Sequence, residues 1–289
     1  MVIKKTNCIG LIIRDITNPY YAGLIRGMEE YISSGEYNYS LIISDMIEPT
    51  KNANPYIDNF LERRVDGIAT TSDNLSLDYL KLLSKTNIPI VFVNRYIEDP
   101  TVRINYIIID NFKGAYMVTE HLIKLGHKNI AHISADTRNP VVANRLSGFK
   151  TAMNDYGVEI KNKDIVPDCD LTPENGYSIA SQLFTSKDPP SAIFCINDYT
   201  AYGVIDYCFK NNINLPEDVS VAGFDDASFS SLDFVSLTTV KQPIKEIGRT
   251  AAEILLDKIK NGEKDKVHKI IEPELVVRKS TGPFKKAGK

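Results

Sequence analysis

Short apolar runs alternate along this chain with longer stretches in which apolar side chains recur every three or four residues. That alternation predicts strand, helix, strand, helix from one end to the other. Residues 8–14 read as a strand. Residues 20–33 read as an amphipathic helix with Tyr21, Leu24, Ile25, Met28 and Ile32 on one stripe. Further strands are expected at 40–44, 66–71, 88–94, 106–109, 129–133, 164–169, 192–196 and 219–224, with a closing strand around 268–278. Helices are expected to end near Arg64 and to cover 77–84, 112–125, 141–156, 174–185, 199–211 and 244–260, with Gly126 as a C-cap. Repeated β-α alternation of this kind gives parallel sheets with crossover helices.

Two runs end alike. Ile88-Pro-Ile-Val-Phe-Val meets Asn94-Arg95, and Val219-Ser-Val-Ala-Gly-Phe meets Asp225-Asp226. Buried parallel strands are continuously apolar, and ligands of open α/β sheets sit at their carboxyl ends. Other strand ends also carry polar groups: Arg14-Asp15, Ser44-Asp45, Thr71-Ser72, Asp110-Asn111, Asn197-Asp198 and Lys241-Gln242. Three junctions place a polar residue before proline, at Asn18-Pro19, Asn139-Pro140 and Gln242-Pro243. At Asn18 a helix cap and a ligand contact are equally good readings of the local sequence, and the position of all three after a strand's carboxyl end favours the ligand.

Single residues sharpen this. Tyr21 lies on the apolar stripe of its helix, whereas Tyr20 is expected to project elsewhere, with a ring face available for stacking. Arg95 offers five donors that suit a polyhydroxylated or anionic ligand, the alternative being a surface salt bridge. Arg145 abuts the stripe formed by Val142, Leu146, Phe149 and Met153, so it is either paired or aimed at a ligand.

Composition narrows the function classes. At 289 residues, 43% hydrophobic and 25% charged, the chain suits two α/β units, and a net charge of −3 leaves no basic footprint for nucleic acid. If DNA is a partner, its reader lies outside this stretch. The cysteines Cys8, Cys169, Cys195 and Cys208 have no C-x-x-C spacing and read as small buried hydrophobes of a reducing compartment. His121, His127, His132 and His268 form no ligand set, so no metal is expected. The apolar run after Lys4 and Lys5 is broken by Arg14 and Asp15, unlike a signal-peptide core, and a cytoplasmic chain is expected. No nucleophile elbow, P-loop or G-x-G-x-x-G follows the first strand, so neither an enzyme nor a cofactor is expected. Asp15, Asp110 and Asp225 have the chemistry for a glycosidase-like carboxylate pair, but carboxylates that accept sugar hydroxyls look the same in sequence.

Eight segments in order carry a resemblance to one family. They are Ile9-Gly-Leu-Ile-Ile-Arg-Asp-Ile-Thr-Asn-Pro-Tyr-Tyr, Arg64-Val-Asp-Gly-Ile, Thr119-Glu-His-Leu-Ile-Lys-Leu-Gly-His-Lys-Asn-Ile-Ala, Asn144-Arg-Leu-Ser-Gly-Phe, Asn197-Asp198, Leu215-Pro-Glu-Asp-Val-Ser-Val-Ala-Gly-Phe-Asp-Asp, Leu237-Thr-Thr-Val-Lys-Gln-Pro and Pro273-Glu-Leu-Val-Val-Arg-Lys-Ser-Thr. Together they resemble the effector-binding region of the lactose-repressor (LacI/GalR) family of bacterial transcription regulators, over residues 6–281.

The resemblance implies a periplasmic-binding-protein-like, type I fold. Two Rossmann-like parallel-sheet subdomains, 6–125 plus 243–266 and 126–242 plus 267–282, would be joined by three crossovers with ligand clamped between them. It implies effector contacts at Asp15, Asn18, Tyr20, Tyr21, Asn94, Arg95, Asp110, Arg145, Asn197, Asp225 and Gln242. Asn94 stands where sugar-binding relatives often carry aspartate, and residues 136–142 follow no common pattern, so the preferred sugar is left open. Family members carry a helix-turn-helix headpiece and bind operator DNA as homodimers. Lys4-Lys5-Thr6 resembles the junction after that headpiece. An allosteric, sugar-responsive repressor core is the expected function. The rivals are an extracytoplasmic sugar-binding protein of a transporter, a sugar enzyme, and a family variant that answers to a phosphocarrier protein.

Overall fold

The computed structural model describes residues 5–34, 37–46, 53–72, 75–96, 101–102, 104–167, 169–262 and 265–285. Lys4 of the proposed junction and Asp168 of the expected strand at 164–169 lie outside them. The chain divides into two units, Met1–Ile109 with Pro243–Ile271, and Asp110–Gln242 with Glu272–Lys289.

The first unit holds β1 (Cys8–Ile13), α1 (Pro19–Ile32), β2 (Ser40–Asp45), α2 (Asn54–Glu62), β3 (Gly67–Thr70), α3 (Leu77–Leu83), β4 (Ile90–Val93), β5 (Asn105–Ile109), α8 (Ile244–Asn261) and β11 (His268–Ile271). Its sheet runs β11-β5-β4-β3-β1-β2, with every pairing parallel. Strand alternation explains why β1 is apolar throughout. Ile9, Leu11 and Ile13 join the core beneath α1 and α8, while Ile12 joins the opposite core with Phe60 and Ile68.

The second unit holds α4 (Asn111–Lys124), β6 (Ile130–Ile133), α5 (Pro140–Asp155), β7 (Ile165–Val166), α6 (Pro173–Phe184), β8 (Ala192–Cys195), α7 (Asp198–Lys210), β9 (Ser220–Asp225), β10 (Thr238–Lys241) and β12 (Glu274–Val276). Its sheet runs β12-β10-β9-β8-β6-β7, with only β12 antiparallel.

Two boundaries differ from the expected ones. The first falls at Ile109/Asp110 instead of Gly126, because α4 packs on the second unit. A β-carbon on its Gly114 would lie 2.8 Å from the Phe224 ring of β9, and one on Gly148 of α5 would lie 2.2 Å from the Phe112 carbonyl. The third falls at Ile271/Glu272 rather than before His268. The expected closing strand is in fact two strands in different sheets. Pro273 has no N–H to give a ladder and stands at the break, so β11 pairs with β5 before it and β12 with β10 after it. The second boundary lies at Gln242/Pro243.

Candidate functional site

In the second unit, the carboxyl ends of β8, β9 and β10 gather polar side chains in a buried setting. Arg145, on α5, is 5% exposed; its Nε donates to Asn111 Oδ1 at 2.8 Å and Nη1 to the Ile196 carbonyl at 2.6 Å. Its guanidinium carbon lies 3.6 Å from the centroid of the Phe224 ring, a stacked cation–π placement. Those contacts hold Nη2 3.9 Å from Asp225 Oδ1. Gln242 Nε2 donates to the same Asp225 oxygen at 2.7 Å. Gln242 is therefore no helix cap: α8 starts at Ile244, and the N-cap position is Pro243.

Asp225 has φ 133° and Asp226 φ 55°. Asp226 lies in the left-handed region that Asn and Asp enter more readily than other L-residues, whereas the φ of Asp225 is strained for any side chain, and both occur at the end of a strand that carries a candidate site. Burial pushes the Asp225 carboxyl up to about 8; Arg145 opposes this, the Asp198 charge adds to it, and the Gln242 hydrogen bond lowers it. A carboxyl whose folded pKa is raised keeps its full stabilising proton below the ordinary carboxylate range and loses it as pH climbs to the folded value. Stability is therefore expected to fall as pH rises from about 4 towards about 8. Urea titrations across that range should show a shallower decline in Asp225→Asn, and an identical profile would remove Asp225 as the source.

The remaining expected residues of this unit are also helix caps. Asn197 Oδ1 accepts from Thr200 N at 2.9 Å, starting α7, and Asp110 Oδ1 accepts from Lys113 N at 2.9 Å, starting α4.

The first unit gathers a second set at the ends of β1 and β4. Asp15 Oδ1 accepts from Thr17 N at 2.9 Å, and Asn18 Oδ1 accepts from Tyr20 N at 3.0 Å as the cap of α1. The expectation that Tyr20 projects away from the apolar stripe fails. It is 6% exposed and belongs to the same core as Tyr21, the two rings meeting edge to face at 5.2 Å. Its hydroxyl accepts from Asn94 Nδ2 at 2.6 Å, which ties the start of α1 to the end of β4. Asn94, like Asp225, has positive φ, here 55°.

Arg95 is no surface salt bridge. It is 9% exposed, and its two terminal nitrogens donate to the carbonyls of Ser72 at 3.0 Å and Leu75 at 3.2 Å, so its donors brace the stretch after β3.

Three polar groups at these ends were not among the expected effector contacts. Asn111 orients Arg145. Asp198 accepts three hydrogen bonds. The buried Ser134 hydroxyl after β6 has no hydrogen-bond partner among the described residues. A buried polar residue on the first turn of a helix is the signal that finds Asn111 and Asp198, since each was legible only as part of a strand-end pair.

Residues 6–279 match the family described as periplasmic binding proteins and sugar binding domain of LacI family. The chain belongs to the LacI family. The HTH-type transcriptional repressor PurR of Photobacterium profundum is 33% identical over 280 residues, covering 96% of this chain and 82% of its own length. Among solved structures, a LacI family transcriptional regulator from Enterococcus faecium with bound ribose is 28% identical with a TM-score of 0.85, covering 96% of this chain and 100% of that one. A CelR–cellobiose complex is 25% identical with a TM-score of 0.82, covering 96% of this chain and 85% of that one.

The LacI-family match and the two mostly parallel sheets agree on a periplasmic-binding-protein-like, type I fold. The chain is the ligand-binding core of a LacI-family transcriptional repressor and not an enzyme. Members of this family bind small-molecule effectors and act on DNA. Among the described residues no helix is long and apolar enough to cross a membrane, and no group of three or more His, Cys, Asp or Glu is placed to hold a metal ion.

Proposed function

We propose that this LacI-family core senses a sugar or sugar derivative. The observation that carries the reading is the pairing of Arg145 with Asp225 at the end of β9. A guanidinium supplies only donors, while a carboxyl that keeps its proton near neutral pH offers one O–H donor beside its acceptor oxygen, and the two lie 3.9 Å apart in a buried setting. A sugar hydroxyl both donates and accepts, so one hydroxyl, or two on adjacent carbons, can satisfy both groups, with a charge-assisted bond from Arg145. The ribose- and cellobiose-bound relatives agree with a sugar class.

The effector contacts proposed are Arg145, Asp225, Asn197, Asp110 and Gln242 from the second unit. From the first come Asp15, Asn18, Tyr20, Tyr21, Asn94 and Arg95, with Asn94 and Asp15 offering the amide and carboxylate. Tyr20 and Arg95 act mainly by fixing their neighbours, given their own hydrogen bonds. The protein works as a cytoplasmic homodimer in which effector and operator DNA each shift the affinity for the other by the same factor.

A thermal-shift panel of D-ribose, cellobiose, sugar phosphates, purines and amino acids tests this. A ligand selective for the folded form adds about 2.7 kcal/mol of stability at a hundred times its Kd, so a specific sugar raises the melting temperature measurably. A response confined to purines or amino acids would replace the sugar class. A response unchanged in both Arg145→Ala and Asp225→Ala would remove the site. Size-exclusion chromatography with light scattering checks the dimer.

A further inference from the structure

Behind Asp225 lies a hydrogen-bond network with a single direction. Asp198, the first residue of α7, is fully buried. Its Oδ2 accepts from Ala227 N at 2.9 Å and Ser230 Oγ at 2.6 Å, and its Oδ1 accepts from Thr239 Oγ1 at 2.6 Å. Ser230 spends its one proton on Asp198, so the Tyr202 hydroxyl, 2.9 Å from Ser230 Oγ, donates to it. Thr239 likewise gives its proton to Asp198, and its lone pair accepts from Asp226 N at 3.4 Å. Every bond points towards the one carboxylate.

Two more features suit this arrangement. A β-carbon on Gly223 of β9 would lie 2.2 Å from Asp198 Oδ1, so the strand passes the carboxylate only because it has no side chain there. The exposed amides at the start of α7 also favour a negative charge at its first residue. Burial pushes the Asp198 carboxyl up to about 6, and the Ser230, Thr239 and Ala227 hydrogen bonds hold it from rising further. The charged and titratable groups around it are Asp225, Asp226, Tyr202 and the buried Cys195 thiol, with Arg145 beyond Asp225 and Arg278 holding Asp226 at 2.6 Å.

The amides of Asp226 and Ala227 immediately follow Asp225. Asp198 fixes the second directly and the first through Thr239. The positive φ angles of Asp225 and Asp226 need surroundings that hold them.

We propose that Asp198 is the positioning residue for Asp225: as an acceptor-only hub it locks the turn after β9 and so sets the direction of the effector-binding carboxylate without touching the effector. The proposal rests on the reading of Asp225 as an effector contact, and its first two measurements need no effector.

Amide hydrogen exchange at Asp226 and Ala227, and an NMR titration of the Asp225 carboxyl, are compared in the wild type, Asp198→Asn, Ser230→Ala, Thr239→Val and Thr239→Ser. In Asp198→Asn the Ala227 amide is expected to exchange at least tenfold faster, and the Asp225 midpoint to move down. Thr239→Val is expected to free the Asp226 amide, and Thr239→Ser, which keeps the hydroxyl, to restore it. If Asp198→Asn does not fold, the Ser230 and Thr239 variants carry the test through the same two readouts. Unchanged exchange and an unchanged Asp225 titration in Thr239→Val and Ser230→Ala overturn the proposal. The effector arm titrates D-ribose and cellobiose: at least tenfold weaker binding in Thr239→Val with recovery in Thr239→Ser supports it. Should the exchange and titration change as expected while Asp225→Ala still answers the sugars, the positioning role stands and the effector reading fails.

Discussion

Arg145→Ala is expected to abolish the effector-induced rise in melting temperature, with apparent affinity falling at least a hundredfold, about 2.8 kcal/mol. The argument lies in what the guanidinium already does. Two of its nitrogens are committed to Asn111 and the Ile196 carbonyl and its face to Phe224, so its position is fixed before any ligand arrives. Pre-organised donors lose little entropy on binding, and removing them forfeits that advantage as well as the bonds. The unliganded protein should lose roughly 2–4 kcal/mol too, because a cavity opens and Asn111 Oδ1 and the Ile196 carbonyl lose their donor. Arg145→Lys separates charge from shape. An ammonium keeps the charge but cannot span both acceptors in the fork geometry, so it should keep much of the fold and still lose most of the affinity. Calorimetric titration with the responding sugar, beside urea unfolding, reads both quantities. Binding in Arg145→Lys at wild-type strength would mean that charge alone suffices.

Gly203→Ala should be the most damaging single methyl group added to the second unit. On helix propensity alone the change would stabilise α7 by about 1 kcal/mol. Packing decides otherwise: the added carbon would sit 1.8 Å from the Pro173 carbonyl oxygen and 2.8 Å from Tyr177 N, both backbone atoms of α6. The contact is reciprocal, since a β-carbon on Gly176 of α6 would lie 2.2 Å from the Thr200 carbonyl. A side chain can rotate away, but here two helices must move apart and drag their buried faces with them. The expected loss is at or above the upper end of the ~1–3 kcal/mol typical of overpacking, or a fall of about 6–12 °C in melting temperature for a unit of this size. Ser178→Ala, on the exposed side of α6, should be near neutral in the same differential scanning calorimetry and serves as its control. A melting temperature unchanged in Gly203→Ala would mean that the helices are not held this closely.

The strand and helix alternation was legible because its cause is local. A strand buried on both faces is apolar throughout, and a helix buried on one face repeats every three or four residues. Assignment to a unit was less legible. The stripe on α4 announces that the helix packs, but only Gly114 against Phe224 and Gly148 against Phe112 show where. The same holds for residues 268–278, whose apolar content runs past Pro273 although their hydrogen bonds change sheets there.

Within the candidate site, Asp225 and Gln242 stood out as members of strand-end pairs and Arg145 as a charge beside a helix stripe, and the three are neighbours in one buried cluster. These signals did not foretell that Arg95 turns inward to brace a loop, or that Tyr20 joins the core, since both depend on what stands opposite in three dimensions. Asp198 was invisible as a hub for a similar reason. Its hydroxyl donors come from Ser230 and Thr239, 32 and 41 residues further along the chain.

Each unit is finished by chain that arrives last. Pro243–Ile271 returns to the first unit, bringing α8 and an edge strand, and Glu272–Lys289 returns to the second, bringing β12 and the hydrogen bonds of Ser280 to Val221 and Thr238. A premature stop codon just after Gln242 would therefore injure both units at once. During synthesis, the first sheet waits for β11 and the second for β12. No single cut of the chain separates one unit from the other, because three crossovers join them.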